Sequence, residues 1–215
     1  MLAPALLAIA IAASGAAMWG EAGAHAAGSA AGADTAAFGP TFEAIDLAID
    51  PRTETWSGSL EADVSVRREA RRMLLRLAGP VVNRVSLSDS SGRISTVFAQ
   101  RGAELLLIEA AHALAPGKVH LLVAFDGRRA GAPPGISGPP GGPLTLARGA
   151  GAVFPAWGAG AMRTRCRLVL HVPVPFRVTT KLQLRERSVD RGWSSSVYEP
   201  RVAIDPDSLR VTIRR

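Results

Sequence analysis

Apolar and polar side chains alternate along most of the chain after residue 40. In residues 60–66, which read Leu-Glu-Ala-Asp-Val-Ser-Val, every second side chain is apolar and the ones between are polar. A period of two places alternate side chains on opposite faces of an extended strand, one face in a core and one in water. This segment therefore predicts a half-buried β-strand.

Similar segments recur at short intervals and predict about ten short strands with no long helix. A hairpin turn is expected at residues 90–92 (Ser-Ser-Gly), a brief helical turn at residues 110–115, and a surface loop without regular structure across the Gly/Pro-dense residues 127–151. Short strands at this spacing are typical of a sandwich or open barrel, so the predicted class is all-β. The predicted strands cover residues 41–49, 56–66, 72–77, 81–88, 93–99, 104–109, 118–126, 165–172, 176–184, 193–198 and 209–213.

The N-terminus has a different pattern. No charged side chain interrupts residues 2–19, and a small-x-small triplet follows at residues 24–26 (Ala-His-Ala). This predicts a signal peptide or membrane anchor at residues 1–26, although a basic segment before the apolar run is missing. Residues 27–40 are Ala/Gly-rich and predict a linker, and residues 41–215 predict the β domain. The protein is thus expected to be exported, periplasmic or secreted, or anchored by its N-terminus.

Composition and net charge limit the classes of partner that the chain is expected to bind. The chain has 215 residues, enough for one domain, and only 5% aromatic residues, so its core must be mainly aliphatic. The formal net charge is +7, and all basic residues except Lys118 and Lys181 are arginines. Such a charge suits an anionic partner such as nucleic acid, but the arginines are scattered and not interleaved with aromatics. Solvated strand faces are the favoured interpretation, with no nucleic-acid partner and membrane contact only through the N-terminal segment.

Four motifs appear in a fixed order along the β domain. Residues 50–60 read Asp-Pro-Arg-Thr-Glu-Thr-Trp-Ser-Gly-Ser-Leu, and a leucine-rich strand with a short apolar strand follows at residues 73–77 and 85–87. Residues 114–127 begin Leu-Ala-Pro-Gly and end Phe-Asp-Gly, while residues 154–173 begin Phe-Pro and end Val-Pro. This series resembles the N-terminal, non-catalytic β domain of the M1 family of zinc aminopeptidases (aminopeptidase N / leukotriene A4 hydrolase type), over roughly residues 41–200.

The resemblance implies a saddle-like, mixed β-sandwich. It also shows which motifs of the family this chain lacks. Where the family has Asp-Glu-Pro after Phe-Pro, this chain has only small residues, and the family's upstream Thr-Gln-x-Glu, whose Gln contacts the substrate's amino end, has no counterpart. The family's G-x-M-E-N motif is absent too. An accessory role in peptide hydrolysis is therefore not expected from these positions.

The histidines do not provide a zinc motif. Peptidases of this kind hold the metal with H-E-x-x-H, whose spacing puts both histidines on one helix face. None of the four, His25, His112, His120 and His171, is followed by Glu, and no two are four residues apart. His120 and His171 lie in predicted strands and could meet across a sheet, but a zinc site needs three or four ligands. No metal or other cofactor is predicted.

Other reactive groups give weaker signals. Cys166 stands among arginines that would favour a thiolate, yet a lone Cys in a strand is more often a small core residue. Residues 194–196 (Ser-Ser-Ser) have no G-x-S-x-G context, the glycines of residues 138–151 lack a phosphate-loop pattern, and Glu61 with Asp63 fits a solvated strand face. No residue is assigned a catalytic, cofactor-binding or metal-binding role.

The predicted function is a non-catalytic, exported β-sandwich module that binds a protein or peptide. One alternative is an accessory or split subunit completed by a separate zinc peptidase domain. Another is a truncated relic of a longer peptidase gene. The residues alone do not decide between these alternatives.

Overall fold

A computed structural model describes residues 36–101, 105–129, 136–138, 143–147, 150–157, 163–205 and 209–215. The predicted signal peptide or anchor at residues 1–26 lies outside these residues, as does most of the predicted linker. Within the described part of the chain, none of the helices is long and apolar enough to cross a membrane.

The described residues form β-strands almost throughout, which confirms the predicted all-β class. One helical turn, α1 (Ala150–Val153), is the exception. The strands are β1 (Phe38–Asp50), β2 (Thr55–Val66), β3 (Ala70–Arg76), β4 (Val81–Asp89), β5 (Gly92–Ile94), β6 (Thr96–Arg101), β7 (Leu105–Leu114), β8 (Gly117–Arg128), β9 (Ile136–Ser137), β10 (Leu144–Ala147), β11 (Ala156–Trp157), β12 (Arg165–Pro173), β13 (Arg177–Thr180), β14 (Gln183–Asp190), β15 (Trp193–Glu199) and β16 (Arg210–Arg214).

The largest sheet has eight strands in the order β14-β15-β12-β1-β2-β8-β4-β5. It is mixed because β1 and β12 run parallel, from Phe42 beside Arg165 to Ala48 beside His171, while the other pairs are antiparallel. Each central strand buries every second residue, as the alternating sequence predicted.

Two four-stranded sheets complete the fold, in the orders β13-β16-β10-β9 and β11-β3-β7-β6. Side chains of all three sheets join one hydrophobic cluster, in which Leu47, Leu75, Leu106, Leu121 and Ile213 are almost fully buried. Burial of aliphatic side chains at about 25 cal/mol per Å² of apolar surface is the main stabilising term of such a core. The predicted mixed sandwich is therefore confirmed.

The glycines of two resemblance motifs sit where backbones and rings approach closely. The Trp56 indole lies against Gly127 on the neighbouring strand β8, and a Cβ on Gly127 would overlap the ring. A Cβ on Gly58 would overlap the main-chain oxygen of Asp46 on β1. Trp56 Nε1 also donates a hydrogen bond to the Val153 oxygen at 3.0 Å, which fastens α1 to the large sheet.

Two predicted strands are divided between sheets, residues 93–99 into β5 and β6 and residues 176–184 into β13 and the start of β14. Three further predictions need correction. β1 begins at Phe38, inside the predicted linker, because Ala37 and Phe38 are buried in the core. The helical turn predicted at residues 110–115 is wrong, since β7 extends to Leu114. The Gly/Pro-dense segment is not free of regular structure either, because β10 pairs with β16 and buries Leu144 and Leu146.

Candidate functional site

The two strand histidines do not meet. His120 lies on β8 and His171 on β12, with β1 and β2 between them, so about 14 Å separates the strands at a spacing of about 4.8 Å per strand. His120 Nδ1 instead lies 3.1 Å from Asp63 Oδ1 on the adjacent strand. Among the described residues no three His, Cys, Asp or Glu side chains come together as a metal site.

His171 contacts polar side chains on both neighbouring strands, an arrangement that the sequence analysis missed. Its Nδ1 lies 2.7 Å from Ser195 Oγ on β15, and its Nε2 lies 3.1 Å from Asp46 Oδ1 on β1. These residues are 24 to 149 positions apart in the chain, so only the strand order brings them together. The elements are those of nucleophilic catalysis, namely a hydroxyl, an imidazole and a carboxylate.

The surroundings do not suit hydrolysis. The side chains of His171 and Asp46 are 31% and 51% exposed on an open sheet face. Ser195 sits in the middle of a strand paired on both sides, with His171 and with Ser188. Acyl transfer requires hydrogen-bond donors aimed at a developing oxyanion in a water-excluded site. We therefore interpret the set as cross-strand polar contacts that support the sheet.

Cys166 is a core residue. It points inward from β12 and is 4% exposed. Burial, together with the negative charge of the adjacent Glu43, raises the pKa of the Cys166 thiol to about 12. The thiol is thus protonated and unreactive at neutral pH, as the buried interpretation predicted.

A cavity of about 670 Å³ opens where the end of β13, the start of β14, the segment after β15 and the start of β16 meet. Its apolar wall is formed by Leu182, Pro200, Ile204 and Leu209. Polar and charged groups line the rest: Thr180, Lys181, Gln183, Arg201 and Arg210.

A second cavity of about 330 Å³ shares Pro200 and Arg201 with the first. Its other lining residues are Phe42, Arg165, Cys166, Arg185, Glu199, Val202 and Ala203. We refer to the two cavities together as the basic cavity. Both lie in a size range typical of ligand pockets.

The basic cavity carries an excess of positive charge. One carboxylate, Glu199, lines it, and so do five cationic side chains, which leaves a formal charge of +4. The cationic residues are Arg165, Lys181, Arg185, Arg201 and Arg210. Arg185 Nε lies 3.4 Å from Glu199 Oε2, with both side chains nearly half exposed. Arg201 Nε donates to Gln183 Oε1 at 3.3 Å and has no carboxylate among its described partners. A concave surface lined by one sign of charge attracts anions.

Exposed apolar side chains surround the same cavity. Phe42 and Val202, at its rim, are 36% and 71% exposed, and Leu184 on β14 is 47% exposed. These three side chains add exposed apolar surface beside the charged cavity.

The cavity continues into an open sheet edge. β14 is the outermost strand of the eight-stranded sheet, and among the described residues its one strand partner is β15. Its side chains are exposed or half-buried throughout, including Val189 at 63%. Its first residue, Gln183, lines the larger cavity and Arg185 lines the smaller one. We call this strand, with its unpaired side, the β14 edge.

The fold was compared with known proteins. No protein-family model matches the sequence, and neither does any curated protein. Solved structures do match the fold: M1 zinc metallopeptidase from Deinococcus radiodurans has a TM-score of 0.70 at 16% identity. A mutant of a two-domain M1 zinc metallopeptidase bound to L-arginine has a TM-score of 0.69 at 17% identity. Each match covers 83% of this chain and 42% of the other.

The chain therefore has an M1 zinc metallopeptidase-like β fold, as the four sequence motifs predicted. It spans less than half the length of these metallopeptidase chains, consistent with their N-terminal domain. At this level of identity the likeness concerns the fold.

Proposed function

We propose that the protein is a non-catalytic, exported β-sandwich module that binds a protein or peptide partner through the basic cavity and the β14 edge. The observation that carries the proposal is their continuity: a strand that is paired on one side only, among the described residues, runs directly into a charged cavity with apolar walls. Peptide-binding proteins use these two features together, since an edge supplies main-chain hydrogen bonds and a pocket supplies selectivity.

The absence of catalysis is supported by the sequence. It has no H-E-x-x-H and no G-x-M-E-N, so the zinc ligands and general base of the M1 route are not encoded in these 215 residues. Metal analysis of the purified full chain should give far less than one equivalent of zinc, and aminoacyl reporter substrates should not be hydrolysed. One equivalent of bound zinc together with peptidase activity would contradict the proposal.

Binding at this surface is tested by a photocrosslinking amino acid. Placed at position 202 in the full chain, it should give an adduct with a partner in cells, and Arg201→Glu beside it should abolish that adduct. Val97 is the matched control, because its exposure of 68% is close to the 71% of Val202 while it lies on β6 of a different sheet. The same adduct from position 97, or none from position 202, would contradict the site.

A second function, an accessory or split subunit of a zinc aminopeptidase, is supported by the coverage of the fold match. The matched metallopeptidase chains contain a further 58% of sequence that this chain does not align with. Such a subunit should increase the aminopeptidase activity of a separately encoded H-E-x-x-H protein when the two are mixed. No increase at any ratio would exclude this function.

A further inference from the structure

We propose that the occupant of this surface is an extended, acidic peptide segment that pairs with the β14 edge as an additional strand and places carboxylates in the basic cavity. This rests on the proposed function and adds the chemistry of the partner. Each part of the proposal comes from a different feature of the surface.

The strand pairing comes from the geometry of β14. In the part of the chain that the structure describes, only β15 pairs with this strand, which leaves the main-chain N–H and C=O groups of its other side to another strand. The register with β15 shifts between Leu184 and Glu186 and is regular from Glu186 to Asp190. The regular part offers room for a strand of about five residues, typical of short strands. Beyond it the occupant reaches Arg185 and the cavity.

The acidic character comes from the charge of the cavity. Four positive charges remain after Glu199 is counted, and Arg165 and Arg201 are exposed. A guanidinium presents a planar pair of donors to a carboxylate, so carboxylates are favoured over neutral groups here. Phe42, Leu184 and Val202 give apolar residues between the acidic ones a surface to cover.

The same charges argue against parallel pairing with a second copy of this chain. Two β14 strands paired in parallel would place two basic cavities, each with a formal charge of +4, side by side, whereas an antiparallel pair would place them at opposite ends of the strands. Like charges directly opposed across an interface are destabilising, and charged edge strands limit self-association for this reason. An acidic partner removes that repulsion.

The test uses the purified full chain in detergent and four fluorescent ten-residue peptides. The first alternates Glu with Val, the second replaces each Glu by Lys, and the third and fourth are the Glu peptide N-methylated at alternate residues, one in each phase. Anisotropy should show binding of the Glu peptide, weakened by salt, and none of the Lys peptide. One N-methylated phase should fail to bind while the other binds, because alternate N–H groups face the partner strand.

Protein variants locate the site. Arg201→Glu should weaken binding of the Glu peptide by about tenfold or more, which corresponds to about 1.4 kcal/mol. Arg93→Glu is the matched control: it makes the same charge change on exposed β5, at the opposite edge of the same sheet, and should change the affinity less than twofold. Unfolding in urea checks that both variants are folded.

The outcomes separate the chemistry from the function. Equal binding of Glu and Lys peptides, or of both N-methylated phases, would overturn the acidic strand. Binding of anionic lipid vesicles without binding of the Glu peptide would also overturn the proposal of an acidic strand. If no peptide binds while the position-202 adduct persists, the partner chemistry is wrong and the binding function stands. If neither is seen, both proposals fail.

Discussion

Trp56 joins three parts of the chain at the scale of a single residue. Its ring packs on Gly127, and its Nε1 donates to Val153, which is 97 residues away. A buried indole N–H without an acceptor would cost about 1–3 kcal/mol, so the Val153 oxygen is required for this position. The Trp-Ser-Gly motif was visible in the sequence, but neither of these partners was, because both come from long-range packing.

Cys166 gives a prediction at the same scale. The folded thiol has a pKa of about 12, whereas the unfolded thiol titrates near 9. Between these values the folded state retains a proton that the unfolded state releases, so stability is lost as pH rises from about 9, by at most about 1.4 kcal/mol per pH unit. Urea unfolding at pH 8 and pH 10 should show a steeper loss for the wild type than for Cys166→Ala.

The comparison of wild type with Cys166→Ala uses the pH dependence of stability and not the stability itself. Loss of the sulfur from the core lowers stability equally at both pH values, so only the difference between the slopes reports the thiol. Parallel pH dependences of the two proteins would show that the thiol is not desolvated in the folded state.

At the scale of elements, strands with one buried face could be predicted and strands without one could not. β2 and β8 alternate cleanly because their inner residues enter the core. β14 was mostly missed, since nearly all of its side chains face water and no period-two pattern is required of it. The basic cavity was missed for a related reason: Arg165, Arg185 and Arg201 look scattered in sequence and are gathered by strand order.

The end of β7 provides a test of an element. Its alanines favour a helical turn by intrinsic propensity, but Ala111 N donates to the Ser95 oxygen at 2.8 Å in the strand conformation. Ala111→Pro removes this donor and should lower the free energy of unfolding by about 1–3 kcal/mol. Urea titration measures the change.

Ala113→Ser is the control for this strand, because Ala113 is exposed and the replacement keeps the main-chain N–H. It should unfold within about 0.5 kcal/mol of the wild type. Equal stability of Ala111→Pro and the wild type would contradict the strand at Ala111.

At the scale of the whole molecule, export is the open prediction. The apolar residues 2–19 and the triplet at residues 24–26 predict cleavage after Ala26. Protein from the periplasmic or secreted fraction should begin at Ala27, as N-terminal sequencing would establish, and Ala26→Asp should block the cleavage. An intact N-terminus in the membrane fraction would favour the anchor, and an intact N-terminus in the cytoplasm would contradict export.

The parallel pairing of β1 with β12 has a consequence for the order in which the chain acquires structure. Phe42 on β1 pairs with Arg165 on β12, which is 123 residues later in the chain, so the centre of the large sheet cannot form until both strands are present. Such non-local pairing makes folding slow, because the entropy of closing a long loop is lost before the contacts form. In a nascent chain the large sheet therefore cannot be completed until β12 has been synthesised, although β2, β4 and β8 can pair earlier. Under the export that we propose, an incomplete sheet would favour passage through a translocation channel, which accepts polypeptides that have not yet folded.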